Sequence, residues 1–218
     1  MSIDYIAILD HDHLDNGLFL SSFAKAVAAH NHRGLILHSD SAYTDRIMQT
    51  GVMREDARLR AIKDLNHRLI ALFADQGVSA IGLNGYQREM ISVSEQKIEV
   101  DVKKIRKLPD QPVLLISSLI YSADTQKPVS GSLAHVARAL KKSLNIEDLF
   151  LFTRNVDDEI IKKDLPVSIS EADDAAEFIK TSIPVEFQDE LIEGILTTAS
   201  EFQKYPDIKN ATKLYPVS

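Results

Sequence analysis

The side chains in this sequence best suited to chemistry crowd its first forty positions. Five of the seven histidines lie in the first 38 residues, and two of them alternate with carboxylates in the tract Asp10-His11-Asp12-His13. A second polar group, His38-Ser39-Asp40-Ser41, follows. Imidazole and carboxylate together suit zinc, manganese or iron, so Asp10, His11, Asp12, His13 and His38, with Asp40, form a candidate metal set. On an extended tract, Asp10 and Asp12 point to one face and His11 and His13 to the other, so only part of the set converges. The plainer reading is a solvated polar loop that caps the next helix. A third group is Gly82-Leu83-Asn84-Gly85, which reads either as a ligand pocket or as a tight strand exit. Arg46, Arg54, Arg58 and Arg60 are candidates for an anion clamp, or else lie on a solvated helix face. Ser132 and His135 open a helix whose N-terminus suits an anion, with capping by Ser132 the simpler role. Asn66, on the apolar side of its helix, serves either a ligand or a backbone carbonyl.

The elements that must position these groups read as alternating strands and helices. Asp4 to Leu9 is nearly all apolar, as a strand covered on both faces is. Leu18 to Ala29 is helical, and Leu35 to Leu37 is a second strand. This order makes a right-handed βαβ unit and sets Asp10–His13 and His38–Ser41 on one edge of the sheet. A long amphipathic helix begins near Glu55, with Leu59, Ile62, Leu65, Leu69 and Phe73 on one stripe, and Gly77 ends it. Val78 to Leu83 is the next strand. Ligands in such folds collect at the carboxyl ends of parallel strands, which brings forward Gly82 to Gly85. The pattern then gives a two-stranded ribbon with Ile98, Val100 and Val102, turning near Glu95–Lys97. A strand over Gln111 to Ser117, a loop from Ser122 to Gly131, a helix from Ser132 to Leu144 and a strand over Leu149 to Phe152 follow. Ser170 caps a further helix, another runs from about Val185 to Phe202, and Ala211 to Pro216 is an edge strand that Pro216 ends.

Within this order, four stretches resemble the amino-acid kinase family, and N-acetylglutamate kinase within it. Asn66-His67-Arg68-Leu69-Ile70 is similar to an Asn-Lys-x-Leu helix. Ala80-Ile-Gly-Leu-Asn-Gly85 is similar to an Ala-Val-Gly-Leu-Ser-Gly strand exit. Pro112-Val-Leu-Leu-Ile-Ser-Ser118 resembles the family's Pro-Val-Ile-Ser strand, and Ser132 to Leu151 its Asn-Ala-Asp helix and following strand. The resemblance implies an α/β fold, a three-layer αβα sandwich with a mainly parallel central sheet, shortened at the C-terminus. It also implies one domain over residues 1–218, with a substrate-side lobe (1–110) and a reduced nucleotide-side lobe (111–218), and a homodimer. The implied ligand is a small carboxylate or acyl-amino acid near His38, Ser39, Asp40, Asn66, Gly82, Asn84, Gly85 and Ser132.

The departures from that pattern bear on activity. The family carries a lysine at the end of its first strand; here the tract is Leu9-Asp-His-Asp-His13, and no lysine precedes Lys25. A glycine loop that lets backbone amides approach phosphate reads His38-Ser39-Asp40-Ser41. The helix aspartate is Ala134, and the second lysine falls at Glu190. The nucleotide turn reads Thr153-Arg154-Asn155-Val156-Asp157. Phosphoryl transfer rests on positioning and on stabilising spread negative charge, and loss of one such group typically costs ~10²- to 10³-fold in rate. The expectation is an N-acetylglutamate-kinase-like protein that is inactive or weak, without a cofactor, binding a small carboxylate or acting as a regulatory subunit. The alternatives are an active acyl-amino-acid kinase with ATP and Mg, and an enzyme using a divalent transition metal on the Asp-His cluster.

The bulk properties fit either course. The 218 residues are 44% hydrophobic, enough for a sizeable core, and there is no cysteine for a disulfide or thiolate site. A net charge of -7 argues against a nucleic-acid surface. No apolar run reaches spanning length, and the N-terminus turns acidic too early for a signal peptide, so a cytoplasmic protein without membrane contact is expected.

Overall fold

The structure is a computed structural model, and it describes residues 2–41, 55–154 and 164–215. Arg46, Arg54, Asn155 to Asp157 and Pro216, brought forward above, lie outside those residues. In chain order the elements are β1 (Tyr5–Leu9), α1 (His11–Leu14), α2 (Gly17–Ala29), β2 (Gly34–His38), α3 (Glu55–Asp75), β3 (Ala80–Asn84), β4 (Ile91–Ser94), β5 (Lys97–Val100) and α4 (Val102–Arg106). There follow β6 (Val113–Ser117), β7 (Leu119–Ser122), β8 (Lys127–Ser130), α5 (Leu133–Leu144), β9 (Asp148–Phe152), α6 (Ala175–Ser182), β10 (Gly194–Thr197), α7 (Ala199–Phe202) and β11 (Ala211–Leu214).

Seven strands form the central sheet in the order β11-β10-β9-β1-β2-β6-β3, and β4, β5, β7 and β8 form a second sheet of four. All neighbours in the large sheet are parallel except the β10–β11 pair. This is the mainly parallel αβα sandwich expected. Because side chains alternate across a strand, β1 feeds two cores. Tyr5, Ala7 and Leu9 join Phe19 and Phe23 of α2, Leu65, Leu69 and Phe73 of α3 and Phe202 of α7. Ile6 and Ile8 join Leu133, Val136 and Leu140 of α5 and Ile91 and Ile120 of the small sheet. All five β1 residues are buried, which is why the sequence there is an apolar run rather than an alternation. Burying each large side chain contributes about 1.5–3 kcal/mol.

The chain steps from β1 to β2 on one side and later returns with β9 on the other. The strand order therefore reverses about β1, and the crevice outside the carboxyl ends there is where such sheets take ligands. Helix α3 ends where expected, with Gly77 in the left-handed region (φ 74°).

Four local readings are corrected. The helix expected over Val185–Phe202 is a short 3-10 turn (Val185–Phe187), strand β10 and helix α7. Gly194 packs so closely that a Cβ there would stand 2.7 Å from the Leu149 carbonyl oxygen, and Ile195 to Thr197 pair with β9. The loop expected over Ser122–Gly131 contains strand β8, which pairs antiparallel with β7. Val102 opens α4, capped by Asp101, instead of extending the ribbon. Asp174, not Ser170, caps α6, accepting from the Glu177 amide at 3.0 Å.

Candidate functional site

The carboxyl ends of β9, β1, β2, β6 and β3 carry Thr153, Asp10, His38, Ser117 and Asn84 or their immediate successors. His38 ends β2 and is fully buried. Its Nδ1–H donates to the Ser39 carbonyl (2.8 Å) and its Nε2 accepts from Asn66 Nδ2 (3.2 Å). Burial pushes its pKa down to about 4, so it is neutral, and both ring nitrogens are engaged. Asn66 also donates to the Leu83 carbonyl at 3.0 Å. It thus ties α3 to two strand exits. Gly82 makes room for this: a Cβ there would come 2.0 Å from Asn66 Oδ1.

Asn84 accepts from Ser117 Oγ (2.8 Å), and its amide donates to Gln87 Oε1 (2.8 Å). The left-handed residues of the following turn are Arg88 and Glu89, not the Asn84-Gly85 pair. Gly85 is buried, its amide bonded to the Ser117 carbonyl.

The tract after β1 is the largest departure from expectation. It forms the one-turn helix α1 with Asp10 as its cap, not an extended segment. Helical spacing brings Asp10 onto His13, and the two carboxylate and imidazole groups form a buried ion pair. Burial opposes charge on both, but each favours the other's ionised form, holding Asp10 below and His13 above its ordinary range. His13 Nε2 lies 3.0 Å from the Thr153 carbonyl oxygen, and its ring packs on Phe19. Asp12 turns outward and accepts from Arg154 Nε at 2.8 Å.

His11 and Asp40 form the centre of the edge. Arg58 Nε–H donates to Asp40 Oδ2 at 2.8 Å, and Asp40 is 1% exposed. His11 Nδ1 lies 2.9 Å from the Asp40 main-chain oxygen and 3.2 Å from Asp40 Oδ1. His11 Nε2 lies 2.9 Å from Glu186 Oε1, which also accepts from Ser39 Oγ at 3.2 Å. Burial pushes the His11 pKa down, but bonding to Asp40 and Glu186 outweighs this and raises it to about 11. Burial likewise raises Asp40, yet His11 and Arg58 hold its carboxyl below the usual range. The group therefore contains two cations, His11 and Arg58, and two anions, Asp40 and Glu186. Sequence reasoning missed Glu186; it stands 147 positions from Ser39, and no local pattern joins them.

Two buried hydroxyls at this edge, Ser118 Oγ and Thr153 Oγ1, have no hydrogen-bond partner among the described residues. Each follows the end of a parallel strand. An unsatisfied buried polar group costs about 1–3 kcal/mol, so these atoms mark where a small polar ligand would be rewarded. Ser132 sits at the exposed N-terminus of α5, accepting from the His135 amide at 3.5 Å, while Gly131 bonds to the Ser118 carbonyl. Glu190 faces the same helix, paired with Arg138 (2.7 Å) and His135 (3.0 Å). Arg60 is exposed. Among the described residues no group of three or more His, Asp or Glu is arranged to hold a metal ion. His11, Asp40 and Glu186 form a chain of pairs, and His13 and His38 turn to other partners.

The mainly parallel central sheet matches the amino-acid-kinase-like fold. No family model matches the chain, and no curated protein matches it. Three solved structures show the likeness. An isopentenyl phosphate kinase superposes with a TM-score of 0.62 at 14% identity, over 97% of this chain and 99% of that one. N-acetylglutamate synthase from Neisseria gonorrhoeae, complexed with coenzyme A and N-acetyl-glutamate, also gives 0.62 at 14%, over 97% of this chain and 59% of that one. Aspartokinase III from E. coli, with lysine and aspartate, gives 0.61 at 10%, over 97% and 64%. The chain thus spans less than two thirds of the latter two. At these identities the likeness is one of fold. Among the described residues no helix is long and apolar enough to cross a membrane.

Proposed function

We propose that this chain is an N-acetylglutamate-kinase-like protein that binds a small carboxylate or acyl-amino acid at the carboxyl edge of its sheet and transfers phosphoryl groups weakly or not at all. One observation supports this above others: the Asp40 carboxylate lies buried between Arg58 and His11. Two cations that would face a phosphate instead face an internal anion. Phosphoryl transfer depends on preorganised positive groups aimed at the transferring oxygens, and the described edge is balanced in charge. The unsatisfied Ser118 and Thr153 hydroxyls suit a small polar ligand better than a triphosphate. No cofactor is required by this reading, and a homodimer remains its expected assembly.

The second reading, an active kinase using ATP and Mg, draws on the likeness to isopentenyl phosphate kinase over nearly the full length of both chains. Calorimetry with Mg-ATP and with N-acetylglutamate, paired with a phosphorylation assay, separates the two. The first reading expects heat with the carboxylate and none with nucleotide. Phosphorylation at enzyme-like rates overturns it.

A further inference from the structure

A cavity of about 610 Å3 lies beside the edge strand β3, lined by Leu83, Tyr86, Gln87, Arg88, Lys107 and Leu108, with Met90 and Pro109. We propose that it binds a small amphipathic anion, an aliphatic or aromatic body carrying one carboxylate or phosphate head. The inference does not rest on the reading of the strand-exit edge.

The lining has two parts. Leu83, Met90, Leu108, Pro109 and the Tyr86 ring supply apolar lining, and the exposed Arg88 and Lys107 supply two cations. Neither cation makes an ion pair among the described residues. Lys63 adds a third positive group, its Nζ 5.1 Å from the centre of the Tyr86 ring. The nearby carboxylates are placed elsewhere: Asp101 pairs with Lys104, Asp110 pairs with Arg33, and Glu89 is exposed and not part of the lining. In a chain of net charge -7 this is a local reversal of sign. An apolar cavity of this size with a few convergent polar groups is the usual form of a small-molecule site.

The loop that shapes it is built in advance. The Tyr86 amide donates to the Leu119 carbonyl (2.7 Å), and the Ile91 amide to Gly85 (2.8 Å). The Gln87 side chain accepts from the Asn84 amide (2.8 Å). Arg88 and Glu89 both occupy the left-handed region, at φ 53° and 51°. Backbone bonds close this turn, the Glu89 amide donating to the Tyr86 carbonyl (2.9 Å) and the Met90 amide to the Gln87 carbonyl (3.2 Å).

The test titrates the isotope-labelled full chain with sodium hexanoate and, separately, hexylammonium chloride, followed by amide NMR. Saturable shifts at Leu83, Tyr86, Gln87, Met90 and Leu108 are expected with hexanoate and not with hexylammonium. Arg88→Glu with Lys107→Glu should weaken hexanoate binding by about tenfold. The singly neutralised Arg88→Gln and Lys107→Gln should each weaken it about threefold, and they serve if the charge reversals disturb the fold. An equal response to both head groups, shifts centred elsewhere, or affinity unchanged in the folded variants overturns the proposal.

Discussion

Arg58 reaches Asp40 from the first turns of α3, and the two groups are unequally placed. The guanidinium side chain is 24% exposed, while the carboxylate is 1% exposed. Removing the partly solvated member leaves the buried carboxylate with His11 alone. Arg58→Ala should therefore lower stability by roughly 1–3 kcal/mol, measured by urea unfolding. Adding Asp40→Asn removes the buried charge, so the double variant should recover part of that loss. If the double variant falls by the sum of the singles, the pair is not coupled. The positions of these residues at strand exits were readable from the alternation of apolar runs and polar tracts. Their pairing was not. Asp40 looks like an intruder in a glycine loop until Arg58 and His11 are seen around it, and those contacts depend on how α1 and α3 dock.

Helix α3 and strand β3 meet through Asn66 and Gly82 with no room to spare. Gly82→Ala would drive a methyl group into Asn66 Oδ1 and Ile70 Cδ1, 2.0 and 2.4 Å from the ideal Cβ. The expected loss is about 1–3 kcal/mol, read as a lower midpoint in thermal unfolding, with the His38–Asn66 contact displaced. An unchanged midpoint would mean that α3 is free to shift. The sequence made α3 plain because its apolar stripe persists over about four turns, from Leu59 to Phe73. Strand β10 was hidden for the opposite reason. Four residues cannot establish a period, and Phe187, Leu191, Ile195 and Phe202 fall near helical spacing. What identifies the strand is the approach of Gly194 to Leu149, a contact between distant segments. The β7–β8 hairpin escaped notice because Lys127-Pro128-Val129-Ser130 carries the polar and proline signals of a loop, which an edge strand also tolerates.

Stability of the molecule should depend on pH in two directions. His38 and His30 have pKa values pushed down to about 4 by burial. Between about 4 and the ordinary value near 6.5, the unfolded chain binds protons that these folded residues refuse, so stability falls as pH drops. His11 behaves oppositely. Its pKa is raised to about 11, so its contribution is complete below about 6.5 and is lost as pH rises through 11; the raised His13 acts in the same sense. The histidines together predict a stability maximum near pH 6.5, measured as the urea midpoint across pH. His11→Gln should flatten the alkaline side and His38→Gln the acid side. Below about pH 4, Asp40 and Asp10, both held low, add a further loss as they protonate. A profile flat from pH 5 to 9 would contradict this account of the strand-exit cluster.

The bridging of His11 to Asp40 and Glu186 has a kinetic corollary. A visitor must displace a neighbour to bond those groups, because each is already clasped by one. Entry must wait for the clasp to open, so in rapid mixing the observed rate should rise with ligand concentration and then level off at the opening frequency. Swapping His11 for a smaller, uncharged residue would lift that ceiling.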